Sequence, residues 1–190
     1  MRRLILQMQT SLDGYVSTGP DDDQSWVTWD IESLKPFVFE LFDSVDTILI
    51  GRKLAIDYIP YWQDTFTKPD DAMHEFAVRI VGAKKIVFTK TLEKSVWDNT
   101  ELAKGELREE VMMLKEQNGK DIVVYGGSSF VAALVKERLI DEFQFYINPV
   151  VLGKGVSIFG SLEERQKLIL KKHVAFQSGI VMLTYGTVNK

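Results

Sequence analysis

Residues 122–130 read Ile-Val-Val-Tyr-Gly-Gly-Ser-Ser-Phe. A short β-branched run that ends on paired glycines and passes into serines predicts a buried strand running straight into a hydroxyl-capped helix. The glycines let the backbone approach a ligand closely. The helix start offers an anion unpaired N–H groups and the positive end of the peptide dipole. The stretch therefore reads in two ways, as a phosphate seat or as a tight strand-to-helix turn with a serine N-cap, and the surrounding chain has to choose between them.

Outward from this stretch, strands and helices alternate. Residues 4–9 are apolar and lead into Ser11-Leu12-Asp13-Gly14, whose Asp-Gly pair signals a turn, so a strand and then a loop are expected. The loop continues through Gly19-Pro20 and the three aspartates at 21–23. Over 31–42, Leu34, Phe37, Val38, Leu41 and Phe42 have the three-and-four spacing of an amphipathic helix, and Pro36 lies near its beginning, where proline is best tolerated. Residues 47–50 form the next strand, which ends at Gly51-Arg52. Asp70 or Asp71 can cap a helix carrying Met73, Phe76, Ala77 and Ile80 and ending at Gly82, and a strand follows at 85–89. Leu107, Val111 and Leu114 predict a helix over 102–117, stopped by Asn118-Gly119; a strand at 121–125 and a helix at 128–138 complete the series. This order predicts one α/β domain spanning 1–190, with a largely parallel sheet covered on both faces. The tail breaks the rhythm. Phe143, Phe145 and Ile147 alternate along a strand closed by Pro149, and two further strands, 168–176 and 180–188, flank Ser178-Gly179 as an antiparallel hairpin.

The bulk numbers bound the function. In 190 residues, hydrophobic side chains make up 45% and charged ones 26%, which describes an ordinary folded domain rather than a disordered chain. A net charge of −4 argues against a nucleic-acid partner, whose binder would carry a basic face. There is no cysteine, and His74 and His173 are far apart, so no metal site is expected. The basic and apolar start, Met1-Arg2-Arg3-Leu4-Ile5-Leu6, is interrupted at Gln7 and Gln9 before it reaches signal-peptide length, and no run approaches a membrane span. A cytoplasmic protein that engages no membrane is expected.

Three features fall just past the carboxyl ends of predicted parallel strands: Gly51-Arg52-Lys53, Thr89-Lys90-Thr91 and Gly126-Gly127-Ser128-Ser129. In an open α/β sheet that edge is where ligands bind, so all three should converge on one crevice. A nucleotide cofactor suits them. The Gly-Gly turn would hold a pyrophosphate, and the Arg52 fork would hold a phosphate monoester, with Thr89, Thr91 and Lys90 beside it. The surplus of cations favours NADP over NAD. Neither G-x-G-x-x-G after the first strand nor G-x-x-x-x-G-K-[ST] is present, which removes the usual Rossmann and P-loop readings.

Ser11-Leu12-Asp13-Gly14, Ile50-Gly51-Arg52, Tyr125-Gly126-Gly127-Ser128-Ser129 and Asn148-Pro149-Val150-Val151-Leu152-Gly153-Lys154-Gly155, in this order, resemble the dihydrofolate reductase superfamily, most closely the branch containing the reductase domain of riboflavin biosynthesis. The resemblance implies a central, mostly parallel sheet of about eight strands with helices on both faces and an antiparallel C-terminal element. It implies NADPH-dependent hydride transfer to a small heterocyclic or ribityl- or ribosyl-pyrimidine-like substrate, and a homodimer joined through its C-terminal strands. Carried over by position, Gly51, Arg52 and Lys53 would meet the adenosine phosphate, with Thr89 and Lys90 as the adjoining wall. Gly126, Gly127, Ser128 and Ser129 would seat the pyrophosphate and nicotinamide, and Val16 would belong to a flap closing over the nicotinamide.

The chain departs from dihydrofolate reductases proper at one point. Their early-helix carboxylate would fall near Lys35, leaving Asp30 and Glu32 a turn earlier either as substitutes or as acids that stabilise the helix dipole. Asp13 either shapes the substrate site or only forms the turn. The catalytic candidates are thus Asp13 and Asp30. Trp26, Trp29, Tyr58, Tyr61 and Trp62 would wall a ring substrate, or serve the core or a dimer contact. Dihydrofolate reduction, and a nucleotide-binding protein that keeps the fold without turnover, are the alternatives.

Overall fold

A computed structural model of the protein describes residues 1–22 and 24–188; Asp23, one of the three loop aspartates, lies outside the described residues. The elements run β1 (Leu4–Thr10), α1 (Ile31–Ser44), β2 (Val45–Gly51), α2 (Arg52–Phe66), α3 (His74–Gly82), β3 (Lys84–Phe88), β4 (Thr100–Ala103), α4 (Leu107–Glu116), β5 (Asp121–Gly126), α5 (Ser128–Lys136), β6 (Glu142–Ile147), β7 (Leu168–Ala175) and β8 (Val181–Thr187). The strands form one sheet in the order β4-β3-β2-β5-β1-β6-β8-β7. Pairing is parallel from β4 through β6, while β8 runs antiparallel to both β6 and β7, so the C-terminal hairpin is antiparallel as expected.

The period-two pleat divides the core. Leu4, Leu6, Ile122 and Val124 face one side, against Val111 and Leu114 of α4 and Val131 and Leu134 of α5. Ile5, Ile48 and Val123 face the other, against Leu41 and Phe42 of α1 and Phe76 and Ile80 of α3. Each of the central strand residues Leu4, Leu6, Ile48, Ile122 and Val123 is fully buried, and burying such a side chain is worth about 1.5–3 kcal/mol. Both faces are apolar because both are covered, which is why these strands read as continuous hydrophobic runs.

Three elements differ from the sequence expectation, the first being α2, a 15-residue helix where none was expected. The helix expected over 102–117 begins only at Leu107. Thr100–Ala103 is instead the edge strand β4, paired with β3 from Lys85 opposite Thr100 to Phe88 opposite Ala103. Gly105 sits between strand and helix, and its N–H donates to Glu110 Oε1 at 2.8 Å, tying the turn to the first part of α4. The third helix is not capped by an aspartate side chain. Its N-cap is Met73, and Asp71 shapes the approach instead, its carboxylate accepting from the Met73 N–H at 2.8 Å.

Candidate active site: a glycine junction beside an aromatic cavity

The carboxyl ends of β2, β3 and β5 bring the three motifs together. Ile50 pairs with Gly126 and Gly51 pairs with Phe88, which places Thr89 one residue beyond the same edge. Gly51 and the Gly126-Gly127 turn are packed so closely that a Cβ on Gly51 would stand 2.9 Å from Phe130 Cβ and 3.2 Å from the Gly127 nitrogen. Gly126 has φ +151°, a conformation L side chains rarely adopt, and a Cβ there would stand 3.0 Å from Leu54 Cδ2. The peptide between Gly126 and Gly127 is cis.

Two helices begin at this junction, α2 at Arg52 with Gly51 as N-cap and α5 at Ser128 with Gly127 as N-cap, and neither has a side-chain cap hydrogen bond. The strand turns tightly into the helix, but the N-cap is Gly127 and not the serine expected. The N–H groups of a helix's first turn have no intrahelical acceptor, so both helix starts present donors and a positive dipole end to the same place.

The predicted cationic and hydroxyl residues divide. Arg52 and Lys53 open α2, and neither makes an ion pair or a hydrogen bond with the described residues, while Ser128 and Ser129 open α5. Lys90 is engaged elsewhere, donating from Nζ to the carbonyls of Gly105 at 2.9 Å and Lys104 at 3.0 Å. Thr89 is buried, and its Oγ1 accepts from the N–H groups of Thr91 and Leu92, both at 3.1 Å, shaping the turn after β3.

Beside the junction lies a cavity of about 400 Å³. Leu54 and Met8 line it and also flank the position a Gly126 side chain would occupy, so the cavity abuts the Gly-Gly turn. All five aromatic residues proposed from sequence, Trp26, Trp29, Tyr58, Tyr61 and Trp62, line it. The sequence reading missed Tyr125, immediately before the glycines. Its ring stacks on Tyr58 with centroids 6.1 Å apart, and its hydroxyl is buried with no hydrogen-bond partner among the described residues. Gln7, Met8 and Gln9 of β1 were missed as well, although the glutamines that interrupt an otherwise apolar strand were the signal. Burial pushes the phenols of Tyr58, Tyr125 and Tyr146 above the ordinary tyrosine range, so these hydroxyls are neutral.

Val16 lines the same cavity from the β1–α1 loop. Its N–H donates to the Val156 carbonyl at 2.9 Å, and the Val156 N–H returns to Ser17 at 2.8 Å. Asp13 fastens this loop to the segment after β6, accepting from Gly153 N–H at 2.7 Å, Leu152 N–H at 3.1 Å and Ser11 Oγ at 2.7 Å. The Ser11 hydroxyl, then the two backbone donors, hold its carboxyl below the usual range. All these partners lie at the end of β1 and in the loop after β6, so Asp13 ties those two segments together. Asp30 is the N-cap of α1, accepting from Ser33 N–H at 3.4 Å, and it also lines the cavity. The Ser178 hydroxyl, outside full hydrogen-bond geometry but the larger influence, and then Ser33 hold the Asp30 carboxyl below the ordinary range. At neutral pH Asp30 is thus an acceptor at the cavity wall. Among the described residues there is no cluster able to hold a metal ion, and no helix is long and apolar enough to cross a membrane.

Comparison with known proteins gives this geometry a family. Residues 2–182 match the RibD C-terminal domain. The uncharacterized protein YyaP of Bacillus subtilis is 33% identical over 97% of this chain and 94% of its own. A putative riboflavin biosynthesis protein from Shewanella has the same fold, with a TM-score of 0.74 at 23% identity over 98% of this chain and 99% of that one. Dihydrofolate reductase from Enterococcus faecalis, solved with NADP(H), superimposes with a TM-score of 0.58 at 13% identity over 98% and 97% of the two chains, so the fold is dihydrofolate reductase-like. With its glycine junction, its paired helix starts and a match over nearly its whole length, the chain belongs to the RibD C-terminal domain family, the reductase branch of riboflavin biosynthesis.

Proposed function

We propose that the protein is an NADPH-dependent reductase that delivers hydride to a small heterocyclic, pyrimidine-like substrate. The observation that carries this reading is the junction of Gly51 and Gly126-Gly127. Two uncapped helix starts and the unpaired Arg52 meet there, against the wall of an aromatic cavity. These residues fit the cofactor, because the absence of a side chain at Gly51, where a Cβ would meet Phe130 and the Gly127 nitrogen, lets two helix starts with free N–H groups pack side by side.

The first-turn N–H groups of α5, with Ser128 and Ser129, would hold the pyrophosphate, and Arg52 and Lys53 would hold the adenosine phosphate. The bound dinucleotide supplies the hydride. The chain's own residues orient and enclose: Leu54 and Met8 pack beside Gly126, Val16 closes one side on its backbone bridge to Val156, and Trp26 and Trp29 cover the loop side. Apolar walls keep water from the reacting centre and hold the reactants in contact. The proton would come from water at the rim of the cavity.

The test is a fluorescence titration of the wild type and Arg52→Ala with NADPH and NADH. NADPH should bind at least tenfold more tightly than NADH, and Arg52→Ala should remove most of that preference while leaving NADH nearly unchanged. If neither nucleotide binds at millimolar concentration, the cofactor reading fails. One observation favours a second reading, dihydrofolate reduction: Asp30 places a carboxylate at the start of the first helix on the cavity wall. Oxidation of NADPH by dihydrofolate, lost in Asp30→Asn, would establish it. Binding of NADPH without oxidation by any heterocycle would leave a nucleotide-binding protein. A homodimer formed through β7 belongs to the same proposal.

A further inference from the structure

The cavity wall has a consistent chemical character. Its residues are aromatic, aliphatic or amide, and among those described there is no lysine, arginine or histidine. The single charged side chain is Asp30, whose carboxyl is held below the ordinary range and is therefore negative at neutral pH. The polar groups on the wall are neutral. The Gln7 amide donates to Gln144 at 2.6 Å, Gln9 Oε1 accepts from Asn148 at 2.9 Å, and the Tyr125 hydroxyl is left without a partner. The free cations near the site, Arg52 and Lys53, belong to the first turn of α2 at the glycine junction. Neither lines the cavity, to which that helix contributes Leu54, Tyr58, Tyr61 and Trp62.

We infer that the substrate taken by this cavity is an unphosphorylated, flat, neutral or cationic ring compound, and that a phosphorylated form of the same compound is excluded. Burying a phosphate in an apolar cavity without a paired cation is strongly unfavourable. The negative Asp30 on the same wall adds repulsion. A planar ring, by contrast, finds aromatic faces on both α2 and the β1–α1 loop. The inference rests on the proposed reductase reading only for the identity of the cavity as the substrate side; the charge argument stands on the wall itself.

The experiment uses two matched pairs that differ only by a phosphate, riboflavin with FMN and uridine with UMP, titrated against the full chain by tryptophan fluorescence, with NADPH affinity measured separately. The unphosphorylated member should bind at least tenfold more tightly in one pair or both. Tyr61→Arg, an exposed cavity position on α2, should reduce that discrimination at least fivefold by supplying the missing cation. The inference is overturned if FMN or UMP binds as well as its partner, if no member of either pair binds at millimolar concentration, or if a folded Tyr61→Arg leaves the discrimination unchanged. Should Tyr61→Arg not fold, the wild-type pairs decide alone. If NADPH does not bind but the preference for riboflavin or uridine holds, the cofactor reading has failed and the inference has not.

Discussion

Asn148 shows what a single side chain does for this site. It is fully buried; its amide donates to Gln9 Oε1 at 2.9 Å, to the Thr10 carbonyl at 3.2 Å and to the Tyr146 carbonyl at 3.3 Å, while its oxygen accepts from Thr28 N–H at 2.8 Å. One residue thus ties β1, β6 and the Trp26 to Asp30 wall together. Asn148→Ala should destabilise the protein by about 2–4 kcal/mol, because several polar groups lose partners at once; at roughly 2–4 °C per kcal/mol for a chain of this size, thermal melting reads the loss directly. The buried phenols make a second prediction. In the folded protein Tyr58, Tyr125 and Tyr146 stay protonated above the pH at which an unfolded tyrosine ionises, so the unfolded state binds fewer protons there and stability falls as pH rises past about 10. Absorbance of phenolate should therefore appear late and together with loss of circular dichroism; smooth ionisation of all six tyrosines near pH 10 without unfolding would contradict it. Legibility at this scale was uneven. The aromatic wall could be named from its position between motifs, but Lys90 could not be seen to be occupied, because its acceptors are backbone carbonyls after β4, a strand hidden inside an expected helix.

At the scale of elements, the decisive contact is between the starts of α2 and α5. Gly51 allows it, since any side chain there meets both the Phe130 Cβ and the Gly127 nitrogen. Neither of these can swing away as the end of a flexible chain could, so Gly51→Ala should cost about 1–3 kcal/mol from overpacking and weaken nucleotide binding more than it lowers stability. A shifted melt with undiminished NADPH affinity would show that the junction is structural only. The central strands and the glycine turn were legible because covered strands form long apolar runs and paired glycines punctuate them. Helix α2 had no counterpart in the expected order. Leu54, Tyr58 and Trp62 do lie four apart along one face, but Pro60 interrupts the helix interior, and the buried residues Ala55 and Ile59 make only a narrow apolar stripe. β4 was hidden because a four-residue edge strand carries too few residues to show a period, and Leu102 happened to continue the helical spacing of α4.

Across the whole molecule, the sheet order places β5 and β1 at the centre and β7 at one edge. The central strands carry the glycine turn and the Gln7 to Gln9 stretch of the cavity wall, and β7 lies at the edge. β7 pairs only with β8, so its outer backbone groups are open, and Ile169 and Leu170 on it are each 47% exposed. An open edge strand with adjacent apolar side chains is a template for pairing with another chain, and blunting such edges is the rule in monomers. The proposed homodimer joins two β7 edges about a twofold axis, an isologous contact in which the same residues meet their own copies. Sedimentation equilibrium at micromolar protein should give twice the chain mass of 21.7 kDa. Leu170→Glu, which sets like charges near each other across that axis at a position the monomer leaves exposed, should give the single-chain mass while circular dichroism stays unchanged. A wild type that sediments as a single chain refutes the dimer, and a Leu170→Glu variant that remains dimeric moves the contact away from β7.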